Sequence, residues 1–125
     1  MRKIFRGAAA FATAVAAVVA LGGAAQAKPA DETPWYGCPA GAVCIYGQGV
    51  APWDDPHPTN AYYSYGAHNL SNQLGDHWVL NNQYGGASAS LCNGYGGTNC
   101  TETIPQDQGV YRDLTPVNSI TLNRP

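Results

Sequence analysis

Basic residues are scarce in this chain, and half of them stand at its start. The 125 residues include six Lys and Arg against eight Asp and Glu, and Arg2, Lys3 and Arg6 lie within the first six positions. From Lys28 onward, three basic residues stand against all eight acidic ones, a net charge of −5. Such a surface offers no basic patch for phosphate groups. We therefore expect no nucleic acid and no anionic membrane surface as partner.

Phenylalanine, methionine and helix-like spacing are also missing from most of the sequence. The only Met and both Phe lie within the first eleven residues, so a core farther along must use Tyr, Trp, Val, Leu, Ile and Ala. After residue 37 no stretch has amphipathic helical periodicity. Short runs rich in Tyr, Val and Ile alternate there with Gly, Asn and Pro, which predicts an all-β sandwich or barrel. The runs are 42–47, 61–66, 77–82, 87–92, 109–113 and 118–122.

The first 27 residues have the pattern of a secretory signal peptide. The basic start is followed by an apolar run over 8–23 and by the small-residue motif Ala25-Gln26-Ala27. Cleavage after this motif would make Lys28 the first mature residue, and residues 28–37 then form a polar leader. We expect a secreted, extracellular protein that has no membrane contact once the signal is removed, with one domain over 38–125.

Four cysteines are consistent with export to an oxidising compartment. They allow three disulfide pairings. We favour Cys38 with Cys44 and Cys92 with Cys100, because each couple flanks a Gly-containing turn. Each bridge would then stabilise the fold by about 2–2.5 kcal/mol. The spacings C-x5-C and C-x7-C differ from the usual zinc-ligand spacing, so disulfides are favoured over a metal site.

Four segments together resemble a known family. They are CPAGAVCIY (38–46), YYSYGAHNLSNQLGDHWVLNNQYGG (62–86), SLCNGYGGTNC (90–100) and DLTPVNSITL (113–122). They are similar to secreted actinobacterial proteins of peptidase inhibitor family I36, whose type member is a Streptomyces metalloproteinase inhibitor. The resemblance implies two Greek-key motifs in a single βγ-crystallin-like sandwich, with the disulfide pairing given above.

The resemblance also implies a functional loop. The bond offered to the protease in the inhibitory member, carried over by position, is Cys92–Asn93. A disulfide-held loop avoids much of the ordering cost of binding and can add a strand to the substrate cleft of an enzyme. We therefore expect a non-enzymatic inhibitor of an extracellular protease that acts as a monomer. Its inhibitory or binding loop would comprise Cys92, Asn93, Gly94, Tyr95, Gly96, Gly97 and Cys100.

No constellation for catalysis, for a metal or for another cofactor is recognised in the sequence. The cluster Trp53–His57 (WDDPH) could supply acids and a His, but Asp and Pro are also turn formers, and a solvated turn is the favoured interpretation. His68 and His77 lack ligand spacing, and His77 begins an apolar run, which indicates a structural role. The segments 73–78 and 114–119 lack most of the acids of the calcium motif found in βγ-crystallin relatives.

Aromatic residues leave two other functions open. Trp53, the run 61–65 and Tyr95 could form a Tyr/Trp face that binds cell-wall glycans or another surface ligand. Alternation in YYSY places Tyr62 and Tyr63 on opposite faces, so at least one of them should be exposed. Tyr95, at a glycine-rich turn tip, is the strongest candidate for an exposed anchor. A third possibility is an antimicrobial or killer-toxin-like βγ-crystallin relative.

Overall fold

The computed structural model describes residues 24–29 and 34–125. Residues 1–23 of the predicted signal peptide and residues 30–33 of the predicted leader lie outside this description. Within it, nine strands and one 3-10 turn (Tyr95–Gly97) are present and no α-helix is found. The strands are β1 (Ala25–Ala27), β2 (Val43–Ile45), β3 (Asn60–Tyr62), β4 (Gly66–Asn69), β5 (Asp76–Asn81), β6 (Ser88–Cys92), β7 (Cys100–Ile104), β8 (Gln108–Asp113) and β9 (Ser119–Asn123).

The strands form two antiparallel sheets. One sheet has the order β1-β8-β5-β2-β3 and the other the order β4-β9-β6-β7. Each sheet takes most of its strands from one half of the chain and one strand from the other half: β8 pairs with β5, and β4 pairs with β9. The predicted all-β class with two layers is therefore confirmed.

An aliphatic core joins the facing sides of the two sheets. Val43, Val79 and Val110 come from the five-stranded sheet, and Leu91 and Ile120 come from the four-stranded one. All five side chains are buried. Because β-branched and Leu side chains fill this space, the core forms without Phe or Met, as the composition requires.

A second, aromatic cluster covers the other face of the five-stranded sheet. Cys44 and Trp78 point to this side and pack with Trp35, Cys38 and Tyr46, which are all buried. Strands β2 and β5 are therefore buried on both faces, which explains why three apolar residues, Trp78, Val79 and Leu80, follow one another in β5 without alternation. The cluster also differs from expectation, because Trp35 belongs to the predicted polar leader.

One buried amide connects the sheets near residues 81–86 (NNQYGG). Asn81 Nδ2 donates to the carbonyls of Ala87 and Ile104, at 3.1 and 3.0 Å. Its Oδ1 accepts from the backbone and side-chain N–H groups of Gln83, at 3.1 and 3.0 Å. The side chain is buried and both of its polar atoms are paired. It therefore joins β5 to the start of β6 and to the end of β7 at little desolvation cost.

Both predicted disulfides are present. Cys38 is bonded to Cys44, and Cys92 is bonded to Cys100. The first bridge lies in the aromatic cluster, and the second closes the hairpin between β6 and β7. No free cysteine occurs among the described residues.

The predicted cleavage motif forms a strand in the structure. Ala25–Ala27 is β1, which pairs antiparallel with Gln108–Val110 of β8 at the edge of the five-stranded sheet. Next to it, Lys28 Nζ lies 3.0 Å from Asp107 Oδ1 and donates to Asn82 Oδ1 at 2.8 Å. Cleavage after Ala27, which stays a prediction, would remove β1 and keep the Lys28 contacts.

The described residues include no helix that is long and apolar enough to span a membrane.

Candidate functional site

The disulfide-closed loop projects from the end of the four-stranded sheet, at the turn between β6 and β7. Its first cysteine, Cys92, is buried, whereas Asn93, Tyr95, Thr98 and Cys100 are exposed. Tyr95 has 61% of its surface exposed, in agreement with the prediction for a turn tip. Apart from Cys92, the predicted loop residues thus lie together at the surface, with Gly94 and Gly97 half-buried beneath the tip.

Glycine at two positions lets the loop fold tightly. A Cβ added to Gly94 would overlap Thr98 Oγ1, so this close approach requires a residue without a side chain. Gly96 has φ +67°, in the left-handed region that glycine adopts freely. Thr98 Oγ1 donates to the carbonyl of Tyr95 at 3.0 Å and closes the 3-10 turn. The glycine-rich composition therefore serves a defined compact turn.

Three side chains from outside the loop hold its backbone. Ser119 Oγ accepts from Gly97 N–H at 2.9 Å and donates to Gly94 C=O at 2.6 Å. Asn69 Oδ1 accepts from Gly96 N–H at 2.8 Å. The third is Asn118, whose Nδ2 donates to the carbonyl of Asn93 at 2.8 Å. With the disulfide, these contacts fix both arms and the tip of the loop before any partner arrives.

The bond between Cys92 and Asn93 lies where β6 leaves the sheet. Cys92 has no exposed surface and pairs with Cys100 on one side and Ser119 on the other. Its carbonyl accepts from the N–H of Asn118 at 2.9 Å. Because β6 is flanked by β7 and β9, another chain could add a strand next to this bond only by displacing one of them. The open edges of this sheet are β4 and β7, and both lie beside the loop, because Asn69 of β4 bonds to Gly96 and β7 begins at Cys100.

A polar cleft of about 440 Å³ borders the first arm of the loop. Its walls include Asn93 and the ion pair between Arg112 and Glu102, in which Nε and Nη2 each donate to one carboxylate oxygen at 2.9 Å. This two-point pair links β8 of one sheet to β7 of the other. Asp76 and Asp113 also line the cleft, and hydrogen bonds from Thr115 hold the pKa of Asp113 below its usual value. A partner of the loop would therefore meet negative charge beside Asn93.

The other polar groups singled out in the sequence occupy structural positions. His57 Nδ1 contacts Asp55 Oδ1 at 2.6 Å in an exposed turn. The ring of His77 is buried, and its two nitrogens lie 2.7 and 2.9 Å from the carbonyls of Tyr46 and Leu74. His68 contacts the carbonyl of Ser64. In the described ranges no three His, Cys, Asp or Glu side chains come together as they would in a metal site.

The structure also assembles a group of tyrosines that the sequence indicated only in part, through the run 61–65. Tyr63 and Tyr65 lie with Tyr84 around one small cleft, and all three are exposed. Tyr63 is exposed and Tyr62 half-buried, as alternation predicts. Tyr84 was missed because it belongs to a glycine-rich turn far along the chain, and only the pairing of the strands brings it here.

Comparison of the chain with protein-family models, with curated proteins and with solved structures finds no match.

Proposed function

We propose that this protein is a secreted, non-enzymatic inhibitor that presents the loop 92–100 to an extracellular protease. One observation carries the proposal: the tip is exposed, yet its backbone is held by a disulfide and by hydrogen bonds from three side chains of two other segments. A loop already ordered in the free protein loses little conformational entropy on binding, which is the physical basis of tight inhibition by small proteins.

The contact is proposed for the exposed face of the loop and not for strand addition at the Cys92–Asn93 bond. That bond is covered by neighbouring strands, whereas Asn93, Tyr95 and Asn99 are exposed. Tyrosine provides a large contact area with few rotatable bonds, and it is among the residues that most often dominate binding energy. Tyr95 is therefore the proposed anchor.

The strand order supports a βγ-crystallin-like arrangement of two Greek keys. In this proposal β2–β5 form one motif and β6–β9 the other. Each motif gives its third strand, β4 or β8, to the sheet of the other. Four consecutive strands of which one returns beside the first are typical of a Greek key. The first disulfide loop leads into β2, the first strand of its motif, whereas the second loop follows β6, the first strand of the other motif.

Inhibition assays on the folded chain with both disulfides formed test the proposal. We expect the protein to inhibit at least one enzyme in a panel of extracellular metallo-, serine and cysteine proteases. Replacement of the anchor, Tyr95→Ala, should raise the inhibition constant by about tenfold or more. Tyr84→Ala removes an equally exposed tyrosine outside the loop and is the matched control, for which the constant should not change.

Two results would overturn the proposal. The first is a chain that is folded and fully oxidised but inhibits no protease of the panel. The second is inhibition that is equally strong in wild type and in Tyr95→Ala, because the exposed tip would then contribute nothing.

A further inference from the structure

We propose that the cleft formed by Tyr63, Tyr65, Tyr84, Gln83 and Gly41 binds one neutral sugar residue of a glycan. None of these residues belongs to the loop 92–100, so this site is independent of the proposed inhibitory function. The cleft has a volume of about 170 Å³. Pockets for drug-sized ligands measure about 300–1,000 Å³, so this one has room for a single unit of a longer polymer.

Three exposed tyrosine rings form the walls. Tyr63, Tyr65 and Tyr84 have 59%, 42% and 68% of their surface exposed. Exposed aromatic side chains grouped in one place mark binding surfaces more often than single ones do. A tyrosine ring can pack against the C–H groups of a pyranose, and its hydroxyl can bond to the sugar hydroxyls. This combination suits a ligand that is apolar on one face and polar at its rim.

Two of the rings are held in place from behind. A Cβ on Gly41 would come within 3.2 Å of the Tyr84 ring and 3.3 Å of its hydroxyl, which is tighter than an ordinary contact, so the ring packs closely on the backbone of Gly41. The guanidinium carbon of Arg124 lies 4.6 Å from the centre of the Tyr65 ring, a cation–π contact. These contacts restrict the rings before the ligand binds, which reduces the ordering cost.

A buried glutamine supplies the polar group that decides between ligand classes. Gln83 is only 4% exposed, and its Nε2 donates to Asn81 Oδ1 and to the carbonyl of Ser88, both at 3.0 Å. These two bonds fix the amide, and its Oε1 accepts none of the hydrogen bonds formed among residues 24–29 and 34–125. Gln83 also lines the cleft, and an amide oxygen without a hydrogen bond favours a ligand that brings donors.

Sugar hydroxyls meet this requirement better than the other ligands of aromatic grooves. Proline-rich peptides also bind such grooves, but proline has no N–H to offer to Gln83. Among the residues that the structure describes, no charged one lines the cleft, so a neutral sugar fits better than an acidic or a basic one. The observations therefore favour a neutral glycan over a peptide.

Retention on insoluble polysaccharides tests the inference. We expect the folded chain to be retained by at least one of chitin, cellulose and starch granules, and to be released by the corresponding soluble oligosaccharide. Tyr84→Ala and Tyr63→Ala should weaken retention by about tenfold or more, a loss of at least about 1.4 kcal/mol. Tyr84→Phe keeps the ring and should retain most of the binding. Tyr95→Ala, in the loop, is the matched control and should bind like wild type.

Three outcomes would overturn the inference. They are no retention on any of the three polysaccharides, retention that Tyr84→Ala leaves unchanged in a folded variant, and binding of a polyproline peptide in place of the glycans. Thermal unfolding of each variant verifies that it is folded. Since Tyr95→Ala affects only the protease assay and Tyr84→Ala only the glycan assay, each proposal can fail without the other.

Discussion

The two disulfide loops of this protein are similar in length and lie in opposite surroundings. Cys38–Cys44 and Cys92–Cys100 close loops with sequence separations of 6 and 8. The first loop lies against the aromatic cluster, and both of its cysteines are fully buried. The second loop stands at the end of a sheet, and Cys100 is exposed.

The difference lies in what else holds each loop. Beside the first bridge, Trp35 and Trp78 fill the space around the sulfurs, so the covalent bond adds to a packed core. In the second loop no side chain of the 3-10 turn is buried, and polar contacts to Ser119, Asn69 and Asn118 replace packing. A bridge inside a core serves mainly stability. A bridge with polar supports leaves the outer face of its loop free for a partner.

Removal of each bridge should give unequal losses of stability. The entropic contributions are similar, about 2–2.5 kcal/mol for loops of this size. The double substitution Cys38→Ala/Cys44→Ala also leaves a cavity between aromatic rings, which costs about 1–2 kcal/mol more. We expect the free energy of unfolding to fall by about 4 kcal/mol in this variant and by about 2.5 kcal/mol in Cys92→Ala/Cys100→Ala. Urea unfolding followed by Trp fluorescence measures both; equal losses would contradict the comparison.

The polar support of the second loop can be tested by removal of a single hydroxyl group. Ser119→Ala removes the hydroxyl that bonds to Gly94 and Gly97, and the side chain is buried. We expect the free energy of unfolding to fall by about 1–2 kcal/mol, because an N–H and a carbonyl lose their partner. Hydrogen exchange at Gly97 should become faster, while exchange at Gly41, whose N–H bonds to Asn82, stays unchanged.

Ser71→Ala is the control for this variant, since Ser71 is exposed. If Ser119→Ala exchanges at Gly97 as slowly as wild type does, the disulfide alone orders the tip.

The sequence predicted the inner strands of both sheets and one edge strand, β3, through the run 61–66, and it missed the other edge strands. The runs that became β2, β5, β8 and β9 contain Val, Ile, Leu or aromatic residues, and the run of β6 contains Ala and Leu, because these side chains fill the two cores. The missed strands β4 and β7 both lie at sheet edges. In β7, the only buried side chain is Ile104, and Thr and Glu occupy most other positions. Edge strands need little apolar pattern, so periodicity cannot find them.

The candidate sites were predictable to different degrees. Loop 92–100 could be located because its ends are marked by cysteines and its turn by glycines. The tyrosine cleft could not, since Gly41, Tyr63 and Tyr84 lie far apart in the chain and meet only through the register of β2 with β3 and β5. The burial of Trp35 was also unforeseen, because a polar Pro-containing segment gives no sign that one aromatic side chain completes a cluster.

The dependence of stability on alkaline pH is the test of the difference between the loops with the smallest expected effect. Burial raises the pKa of Tyr46, in the aromatic cluster, above the ordinary value of 10.0. Its hydroxyl donates to the carbonyl of Tyr36 at 2.7 Å. The neutral phenol is thus favoured in the folded state. Its stabilisation is complete below pH 10 and is lost as the pH rises through the ordinary value toward the raised one, because the unfolded chain ionises first.

Tyr46→Phe separates this ionisation from the rest of the protein. At neutral pH the variant should lose about 1 kcal/mol with the hydrogen bond, and above pH 10 its stability should fall less steeply than that of wild type. Urea unfolding at pH values from 7 to 11 measures the slope, with Trp fluorescence as the signal, since Trp35, Trp53 and Trp78 all lie on the side of the first loop. An identical slope in both proteins would mean that the aromatic cluster opens before Tyr46 ionises. The first loop would then be held by its disulfide and not by the core around it.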